Sequence, residues 1–544
     1  MDADYWKYSV KDEPKFNEDV CAGFVTKQLE DVVSWIDKFI RSTSNSFPPT
    51  FRYVGISVPG PFEQYRRNVL EKDAKREFNI AESDMFLCDL EFEFDDKGDR
   101  LKIFHELWLP FGRQGNQIKI KGSMATLHPV QADRFVSVTQ TGLFFIIQRA
   151  KFNLDKLDVT VSKDGSVYTG VVLKAFLHNE SKVKKDSEKW ASPTTGHYLF
   201  CKYGVTEVFR RYYNSEVYIC REDDLDDRYD PDQHYVITSK AVHGRIKAQR
   251  QSGENGYTDI RTPYAMIVDR ELFDTSKGFV NLVLSFFYVT DRHNDSFNFE
   301  DIDRPEDWLK TLAYASFRVY TDLPVNLNKI ESHMASLEDY IDEMTKEIII
   351  EEGLESIDTI YDLFVYANDN VIDLMQNTDI GSMWGKYLMV KRYVLSSITF
   401  QIINLCWELS KNRDKLTYKS IKWWIGVRLP KTCFLGITKG HGEKTNVQYP
   451  GDNMLFKHTL ISVRQIDAVI TANGKAKINV DDPSYHLHPS IFDSGSIVNF
   501  PKPNPDGRNK LNPFITTDED GKILPNPDTY DLLMSVRDEI GFDH

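Results

Sequence analysis

The sequence predicts a multidomain α+β protein. The chain has 544 residues, of which 41% are hydrophobic and 13% aromatic, which is enough for several packed cores of roughly 100–200 residues each. Short apolar or alternating runs bounded by turn residues dominate residues 51–155, whereas residues 326–424 show helical periodicity. Strand-like and helix-like segments are therefore grouped separately along the chain, which is typical of the α+β class.

The N-terminal part is predicted to be one helix followed by short strands. Apolar residues recur near helical spacing over Glu18–Arg41, and Ser46-Phe47-Pro48-Pro49 then breaks the helix. Strands are predicted at Phe51–Ile56, Met85–Phe94, Gln117–Lys121, Arg134–Val138 and Leu143–Ile147. Lys119 and Lys121 share one face of the third strand and could follow a phosphate backbone, although an ordinary solvated face is favoured.

Residues 156–320 differ in composition and are predicted to form a separate mixed domain. Its acidic run, Arg221–Asp230, lacks the ligand order and central glycine of an EF-hand, so a solvated loop is favoured over a cation site. His243–Arg250 concentrates positive charge. A loop facing nucleic acid and a polar helix face explain that charge equally well.

The segment from Asn326 to Trp424 is predicted to be helical. One helix carries Leu337, Tyr340, Ile341, Met344, Ile348 and Ile349. A second, more apolar helix over Met389–Leu409 is predicted to be buried on most sides. Lys419–Trp424 ends this part with two cations and two tryptophans. The tryptophans could stack on bases, but burial is the usual fate of paired tryptophans and is favoured.

Cysteine usage and charge restrict the class of protein. The six cysteines include no C-x-x-C pair, so neither a zinc site nor a disulfide framework is indicated and a reducing compartment is expected. No signal peptide or membrane-spanning run is found, which predicts a soluble, unexported protein. The net charge of −15 argues against a free-standing nucleic-acid binder, but an acidic subunit can still line a locally basic cleft.

One glycine-rich run superficially resembles a phosphate-binding P-loop. Gly436–Thr445 has Thr438 and Glu443 where the motif requires glycine. A carboxylate beside Lys444 would also repel a triphosphate. The ATPase interpretation is therefore rejected.

The most informative segment lies between Leu487 and Lys522. Pro501, Pro503 and Pro505 fix the backbone and remove three donors, so this run is predicted to be a stiff surface segment. Asp506-Gly507 adds a tight turn, after which Arg508 and Asn509 follow. Such a loop can present a carboxylate, a guanidinium and an amide to a nucleotide with little loss of entropy. A proline-rich linker is the alternative that composition alone favours.

This segment resembles the β-type subunit of multisubunit RNA polymerases. In that family a His-Pro pair, here His488-Pro489, precedes a T-P-E-G-P-N or T-P-E-G-Q turn, here Asn504–Asn509, and then an N-E-x-G hairpin, here Thr517–Lys522. Lys457–Ile466 is similar to the family's T-L-S-H-L-R-R-I helix, with Arg464 kept and the second arginine replaced by Gln465.

Two further series extend the resemblance. Ile103–Pro110, Gly115–Ser123 and Thr141–Phe145 are similar, in order, to the family's G-D-I-P-L-M strand, G-x-F-I-I-N-G hairpin and S-P-G-V-F-F strand. Gly436–Thr445 resembles the A-T-G-N-W-G loop of the fork region.

The resemblance implies the N-terminal half of a split β subunit, of the type found in large-genome bacteriophages. A whole β subunit would continue for hundreds of residues beyond this sequence. The implied domains are the first part of the protrusion (1–155), the lobe (156–320), a helical continuation of the protrusion (321–425) and an irregular fork region with the loop near the active site (426–544).

Individual site residues follow from the resemblance. Those implied to lie near the nucleotide or RNA are Pro505, Asp506, Gly507, Arg508 and Asn509. Those implied to contact the hybrid or DNA are Arg464, Lys439, His441 and Lys444. Asp506 is one methylene shorter than the family's glutamate, and Arg508 adds a charge that could bind phosphate.

No catalytic residue or metal ligand is expected in this chain. The family's N-A-D-F-D-G-D motif, which holds the catalytic Mg²⁺, belongs to the β′ subunit, and no equivalent occurs here. The implied partners are the C-terminal half of β, β′-like subunits, a sigma-like promoter-recognition subunit, template DNA and RNA, with no membrane.

Two other classes of function are left open. A bacteriophage structural or assembly protein would share the size, the acidity and the lack of a catalytic motif. A nucleic-acid-binding module outside a polymerase is disfavoured by the negative charge. The expected location is the cytoplasm of the infected bacterial host, and packaging in the virion is left open.

Overall fold

A computed structural model confirms the α+β class, with helices and several small sheets in a multidomain chain. It describes residues 24–70, 80, 82–113, 117–132, 135–139, 141–148, 150–176, 192–225, 229–240, 262–293, 297–317, 323–378, 382–412, 415–438, 447–448, 462–465, 489–490, 508–511, 515–518, 520–525, 531 and 535. Among these residues, no helix combines the length and the hydropathy that crossing a bilayer requires.

The elements are numbered along the chain. The helices are α1 (Phe24–Glu30), α2 (Val32–Ser44), α3 (Pro61–Tyr65), α4 (Thr195–Tyr203), α5 (Val205–Tyr213), α6 (Arg270–Thr275), α7 (Lys277–Arg292), α8 (Pro305–Phe317), α9 (Leu323–Leu337), α10 (Glu343–Glu351), α11 (Ile360–Asn377), α12 (Lys391–Val394), α13 (Ser396–Lys411), α14 (Tyr418–Trp423) and α15 (Phe434–Thr438). The strands are β1 (Phe51–Ser57), β2 (Met85–Asp96), β3 (Asp99–Pro110), β4 (Gln117–Ile120), β5 (Ser123–Leu127), β6 (Val130–Ala132), β7 (Val136–Val138), β8 (Gly142–Ile146), β9 (Lys151–Lys163), β10 (Ser166–Phe176), β11 (Tyr218–Arg221), β12 (His234–Ser239), β13 (Tyr264–Asp269), β14 (Tyr387–Met389), β15 (Val447–Gln448), β16 (Ser462–Gln465), β17 (Arg508–Lys510), β18 (Thr516–Thr517) and β19 (Ile523–Leu524).

Contacts divide the chain into two compact units. The first unit combines Met1–Arg134, Gly381–Ile470 and Lys477–His544, and the second combines Phe135–Ile380 with Thr471–Ala476. In sequence, the second unit is therefore inserted into the first. The four domain boundaries inferred from the sequence stay predictions.

The first unit is built from several small sheets. Strands β1, β2 and β3 form one antiparallel sheet, β15, β5 and β4 form another, and β14, β6, β16 and β17 form a third. The predicted N-terminal helix is confirmed over its described part, but a turn at Asp31 divides it into α1 and α2. Ser46–Pro49 ends the helical part as expected, and the strands predicted for this unit are confirmed with slightly different ends.

The second unit has one large core. Its sheet runs in the order β11-β13-β12-β9-β8-β7, with β10 paired to β9. Helix α7 is buried from Gly278 to Asp291, because it packs against the sheet and against α4 and α11. A helix apolar on all sides is stable only inside such a core. The described part of the acidic run, Arg221–Leu225 and Tyr229–Asp230, is exposed or half-buried, whereas His243–Arg250 lies outside the described residues.

Two helix predictions are wrong. The single helix expected through Leu337 and Ile349 is two helices, because Asp342 caps α10 by accepting a hydrogen bond from the Thr345 amide at 2.8 Å. The helix expected over Met389–Leu409 begins later, at Ser396, after β14 and the short α12. It is also not buried on most sides, since Phe400 is 59% and Trp407 53% exposed.

A buried histidine lies in the core of the second unit. His197, on α4, is fully buried, and its Nε2 atom lies 3.1 Å from the Trp308 carbonyl oxygen and 2.9 Å from Thr311 Oγ1. Burial lowers the pKa of His197 to about 3, with a smaller contribution from the charge of His293. The native state therefore holds this ring neutral at pH values where an unfolded chain would protonate it.

We expect acid to destabilise the second unit through His197. Because the folded pKa lies below the unfolded value, its contribution is complete above pH 6.5 and is lost as the pH falls towards 3, at about 1.4 kcal/mol per pH unit. Urea unfolding between pH 7.5 and 4.5 measures this loss. His197→Gln removes the titrating group, so it should lower stability at pH 7.5 yet flatten the dependence on pH. Identical pH dependence of variant and wild type would contradict this account.

Candidate nucleic-acid interface

The sheet β14-β6-β16-β17 brings together segments that are far apart in sequence. Strand β16 pairs antiparallel with β17, in a register that opposes Ser462 to Lys510, Val463 to Asn509 and Arg464 to Arg508. Three residues predicted to contact nucleic acid therefore lie on adjacent strands. Arg464 and Arg508 occupy directly opposed positions, and like charges in such a pair are unfavourable by themselves.

The secondary structure around Arg464 differs from the prediction. The resemblance implied a helix over Lys457–Ile466, but the described residues Ser462–Gln465 form a strand. The strand pairs on both sides, with β17 and, in parallel, with β6, where Arg464 is opposed to Val130 and Gln465 to Gln131. Hydrogen bonds to both neighbouring strands satisfy the backbone of β16. Because these partners are distant in sequence, the local residue pattern could not predict the strand.

Strand β6 is the buried centre of this sheet. Val130 and Ala132 are almost fully buried and pack with Tyr393 and Met389. Gln131 is also buried, and its Nε2 donates to the sulfur of Met383 at 3.2 Å. On its other edge β6 pairs antiparallel with β14.

A C-terminal hairpin bonds to β14, the edge strand of this sheet, and a hairpin was predicted there. The segment Thr517–Lys522, expected to match the family's hairpin, connects β18 to β19. Asp518 holds the turn, because its Oδ1 accepts from the amides of Asp520 at 3.1 Å and Lys522 at 2.7 Å. The hairpin joins β14 through Leu388 N to Gly521 O at 2.8 Å and Ile523 N to Lys386 O at 2.7 Å.

The turn of the hairpin requires glycine. Gly521 has φ +88°, and a Cβ atom there would lie 2.6 Å from the Leu388 carbonyl oxygen. The side chain is thus excluded both by backbone conformation and by the close approach of β14.

The predicted fork loop leads into a strand of the neighbouring sheet. Strand β15 pairs with β5, with Val447 opposed to Leu127.

The two lysines predicted to share a strand face do not do so. Lys121 lies beyond β4, at a turn with φ +51°, and its Nζ lies 5.8 Å from the centre of the Phe434 ring. Lys119 is half-buried on β4. The single strand face carrying both lysines is therefore not formed.

An ion pair between the buried Asp84 and the half-exposed Arg113 fixes the β4–β5 hairpin. The Asp84 carboxylate accepts from Arg113 Nε at 2.7 Å and Nη2 at 2.8 Å, and from the Lys119 amide at 2.7 Å. Its side chain is only 3% exposed. Three donors compensate this buried charge, so the pair has a structural role.

Other predicted site residues lie outside the described residues. These are Pro505, Asp506, Gly507, Lys439, His441 and Lys444. Of Arg464, Arg508 and Asn509 the backbone register is described. Within the part of the chain that the structure describes, no group of three or more His, Cys, Asp or Glu side chains could hold a metal ion.

One of the paired tryptophans is exposed, contrary to the prediction. The expected burial of the tryptophan pair is wrong for Trp423, which is 48% exposed. The available signal was the absence of any acidic residue between Lys415 and Gly442, which predicts a solvated basic surface better than a core.

We expect Gly521→Ala to loosen the hairpin from β14. The added methyl group would overlap the Leu388 carbonyl and lower the local opening free energy by about 2 kcal/mol, so exchange should accelerate about 30-fold. Hydrogen exchange of the Leu388 and Ile523 amides measures this opening.

Gly98→Ala is the matched control for this substitution. Gly98 also has a positive φ, +102°, but a Cβ atom there would have no neighbour within 4 Å. The control should share the backbone strain without the overlap, and leave exchange at Leu388 unchanged. Equal protection of Leu388 in Gly521→Ala and wild type would show that the close approach does not hold the hairpin.

Comparison with known proteins identifies the family. Residues 5–538 match the family described as Non-virion RNA polymerase subunit, whereas no curated protein matches the sequence. The family description supports a polymerase subunit over a structural or assembly protein, implies further subunits as partners, and does not support packaging in the virion. Because the match spans nearly the whole sequence, the chain belongs to the non-virion RNA polymerase subunit family and is a component of a viral RNA polymerase.

Proposed function

We propose that this subunit is the N-terminal half of a split β subunit in a bacteriophage polymerase, and that it forms one wall of the cleft that holds the DNA–RNA hybrid. The observation that carries the proposal is the pairing of β16 with β17. The two segments with the strongest resemblance to the β family are brought side by side by this ladder. A chance resemblance of two distant segments would give no reason for them to be neighbours.

The opposed arginines support an anionic ligand at this sheet. Arg464 and Arg508 are opposed in the backbone register of the ladder, and like charges at such positions are unfavourable by themselves. A phosphate group would relieve their repulsion, since guanidinium groups bind phosphate with paired hydrogen bonds. The nucleic-acid backbone supplies such groups in a polymerase cleft.

The proposed roles follow the family pattern residue by residue. Asp506, which stands between Pro505 and Gly507 in the sequence, would lie near the incoming nucleotide, and Asn509 near the growing RNA end. Arg464 would contact the hybrid, and the fork-loop residues are Lys439, His441 and Lys444. The proposed partners are a C-terminal half of β, β′-like chains and a sigma-like subunit, acting in the cytoplasm of the host bacterium.

Mg²⁺ is proposed to be held by the β′-like partner. The described residues of this chain offer no cluster of carboxylates that fits the two-metal chemistry of nucleotidyl transfer. This subunit would instead position the hybrid and the nucleotide. Positioning is a large part of catalysis, because misplacing the reacting groups by about 1 Å can cost about 100-fold in rate.

We expect Arg464→Ala to reduce Mg²⁺-dependent RNA synthesis by the assembled polymerase about 10- to 100-fold. A lost charge-assisted hydrogen bond is worth about 1.5–3 kcal/mol, which gives this range. Asp506→Ala should raise the apparent KM for nucleotides. The polymerase would be purified through a tagged copy of the chain, with RNA synthesis measured on a defined template and co-purifying chains identified by mass spectrometry.

Arg100→Ala is the control for the arginine substitution. Arg100 is an exposed strand arginine of the first unit, on β3, so its loss should leave RNA synthesis unchanged. Wild-type activity of Arg464→Ala and Asp506→Ala polymerases would contradict the proposed site. Absence of β′-like chains from the purified complex would contradict the proposed subunit identity.

A further inference from the structure

A strongly basic stretch with exposed aromatic residues lies outside the sheet described above. From Lys415 to Gly442 the sequence contains no acidic residue, although the whole chain has a net charge of −15. Six lysines and arginines occur in this stretch: Lys415, Lys419, Lys422, Arg428, Lys431 and Lys439. A local charge of this sign in an acidic protein attracts polyanions.

The backbone of this stretch gathers its aromatic and cationic side chains. Helix α14 runs into a π-helical turn over Trp424–Arg428, in which the Leu429 amide donates to the Trp424 carbonyl at 3.3 Å. A turn closed over five residues brings Arg428 back to the tryptophans. Its Cζ lies 5.4 Å from the Trp423 ring centre and 5.5 Å from that of Trp424.

The aromatic surface is open to solvent. Trp423 is 48% and Val427 63% exposed, whereas Ile421 and Ile425 are buried and anchor the segment. The two indole rings meet edge to face, with their centres 6.2 Å apart. The exposed indole of Trp423 offers a flat ring on which a nucleic-acid base can stack.

The cations around Trp423 are available to a ligand. Lys422 Nζ lies 5.5 Å from the Tyr418 ring centre. Among the described residues, no carboxylate lies within ion-pair distance of Lys419, Lys422 or Arg428, whereas Lys431 pairs with Glu106 at 3.6 Å.

Both ends of the segment are fixed. At its start, Thr417 and Ser420 form a capping box. At its end, the Trp108 amide of β3 donates to the Lys431 carbonyl at 2.7 Å, and His105 Nε2 lies 3.3 Å from the Pro430 carbonyl. Burial lowers the pKa of His105 to about 4, so the neutral ring can donate this bond near pH 7. A surface held in this way loses little entropy on binding.

We propose that Tyr418–Arg428 forms a stacking platform for single-stranded nucleic acid, in which a base stacks on Trp423 while Lys419, Lys422 and Arg428 neutralise phosphates. Aromatic side chains on a positively charged surface are the arrangement by which proteins hold single strands without reading their sequence. A protein partner would suit the tryptophans and Arg428 but fits Lys419 and Lys422 less well, because lysine is depleted in protein–protein interfaces. This binding site is additional to the proposed β role and does not depend on it, because any subunit of an RNA polymerase could hold a single strand in this way.

Photocrosslinking locates the contact. The assembled polymerase would be irradiated with single-stranded 20-mers carrying 5-iodouracil, one of DNA and one of RNA, and digested with trypsin. The platform predicts a crosslink in the peptide Trp423–Arg428. The DNA and RNA probes show which strand is preferred, and a crosslink with either supports the platform. Crosslinks confined to other peptides would overturn it.

Affinity measurements test the stacking. Trp423→Ala should weaken binding of a fluorescein-labelled single strand to the assembled polymerase about 10-fold, since stacking on one aromatic ring contributes about that much. Trp423→Phe keeps a ring and should recover most of the affinity. Arg428→Ala should flatten the salt dependence by about one phosphate contact. Duplex of the same length should bind all variants equally.

Trp407→Ala is the matched control. Trp407 is 53% exposed on α13 and lies outside the proposed platform, so its loss should not change binding. Trp423→Ala with wild-type affinity would overturn the platform. Loss of other subunits from the Trp423→Ala and Trp423→Phe complexes on gel filtration would also overturn it, in favour of a docking surface for a subunit. Neither readout depends on RNA synthesis, so failure of the proposed β role would be seen separately.

Discussion

The candidate site depends on the backbone pairing of one short strand, β6, with its two neighbours. It pairs with β14 on one edge and with β16 on the other, and its side chains are buried. Through these two edges, residues from four distant parts of the chain enter one sheet. The C-terminal hairpin then joins β14 by backbone bonds. Without β6, the strand of Arg464 would lose its fixed relation to the rest of the first unit, since a two-stranded ladder is marginal in water.

Local features of this fold could be predicted from the sequence. The strand at Met85–Phe94 and the end of α2 before Pro48 follow from alternation and from proline within a few residues, and the hairpin at Thr517–Lys522 was implied by the family resemblance. The secondary-structure predictions that were wrong depended on partners distant in sequence or on a single capping side chain. The β16 strand is set by parallel pairing with Val130 and Gln131, which no local pattern encodes. The break before α10 depends on the Asp342 side chain, whose capping competes with the continuous helix that periodicity favoured.

The candidate site could be predicted only in part, for a related reason. The resemblance selected Arg464, Arg508 and Asn509 from short motifs, and the register of β16 and β17 then placed them on adjacent strands. Trp423 was misjudged because burial is the usual fate of tryptophan. The π-helical turn that follows it brings Arg428 to the rings of Trp423 and Trp424. A π-helical turn differs from an α-helical turn by one residue in its hydrogen-bond spacing, and sequence periodicity cannot distinguish the two.

The two units differ in how their contacts are distributed along the chain, and this has a consequence for folding. The second unit is nearly continuous in sequence and has one large core, so it can form as soon as its residues are synthesised. The first unit needs β6 to pair with β14 and β16, and these two strands follow the inserted unit in the sequence whereas β6 precedes it. Loop closure over that distance is slow unless the intervening chain is already compact. Early folding of the second unit shortens the effective loop, so the inserted core assists formation of the sheet that carries the candidate site.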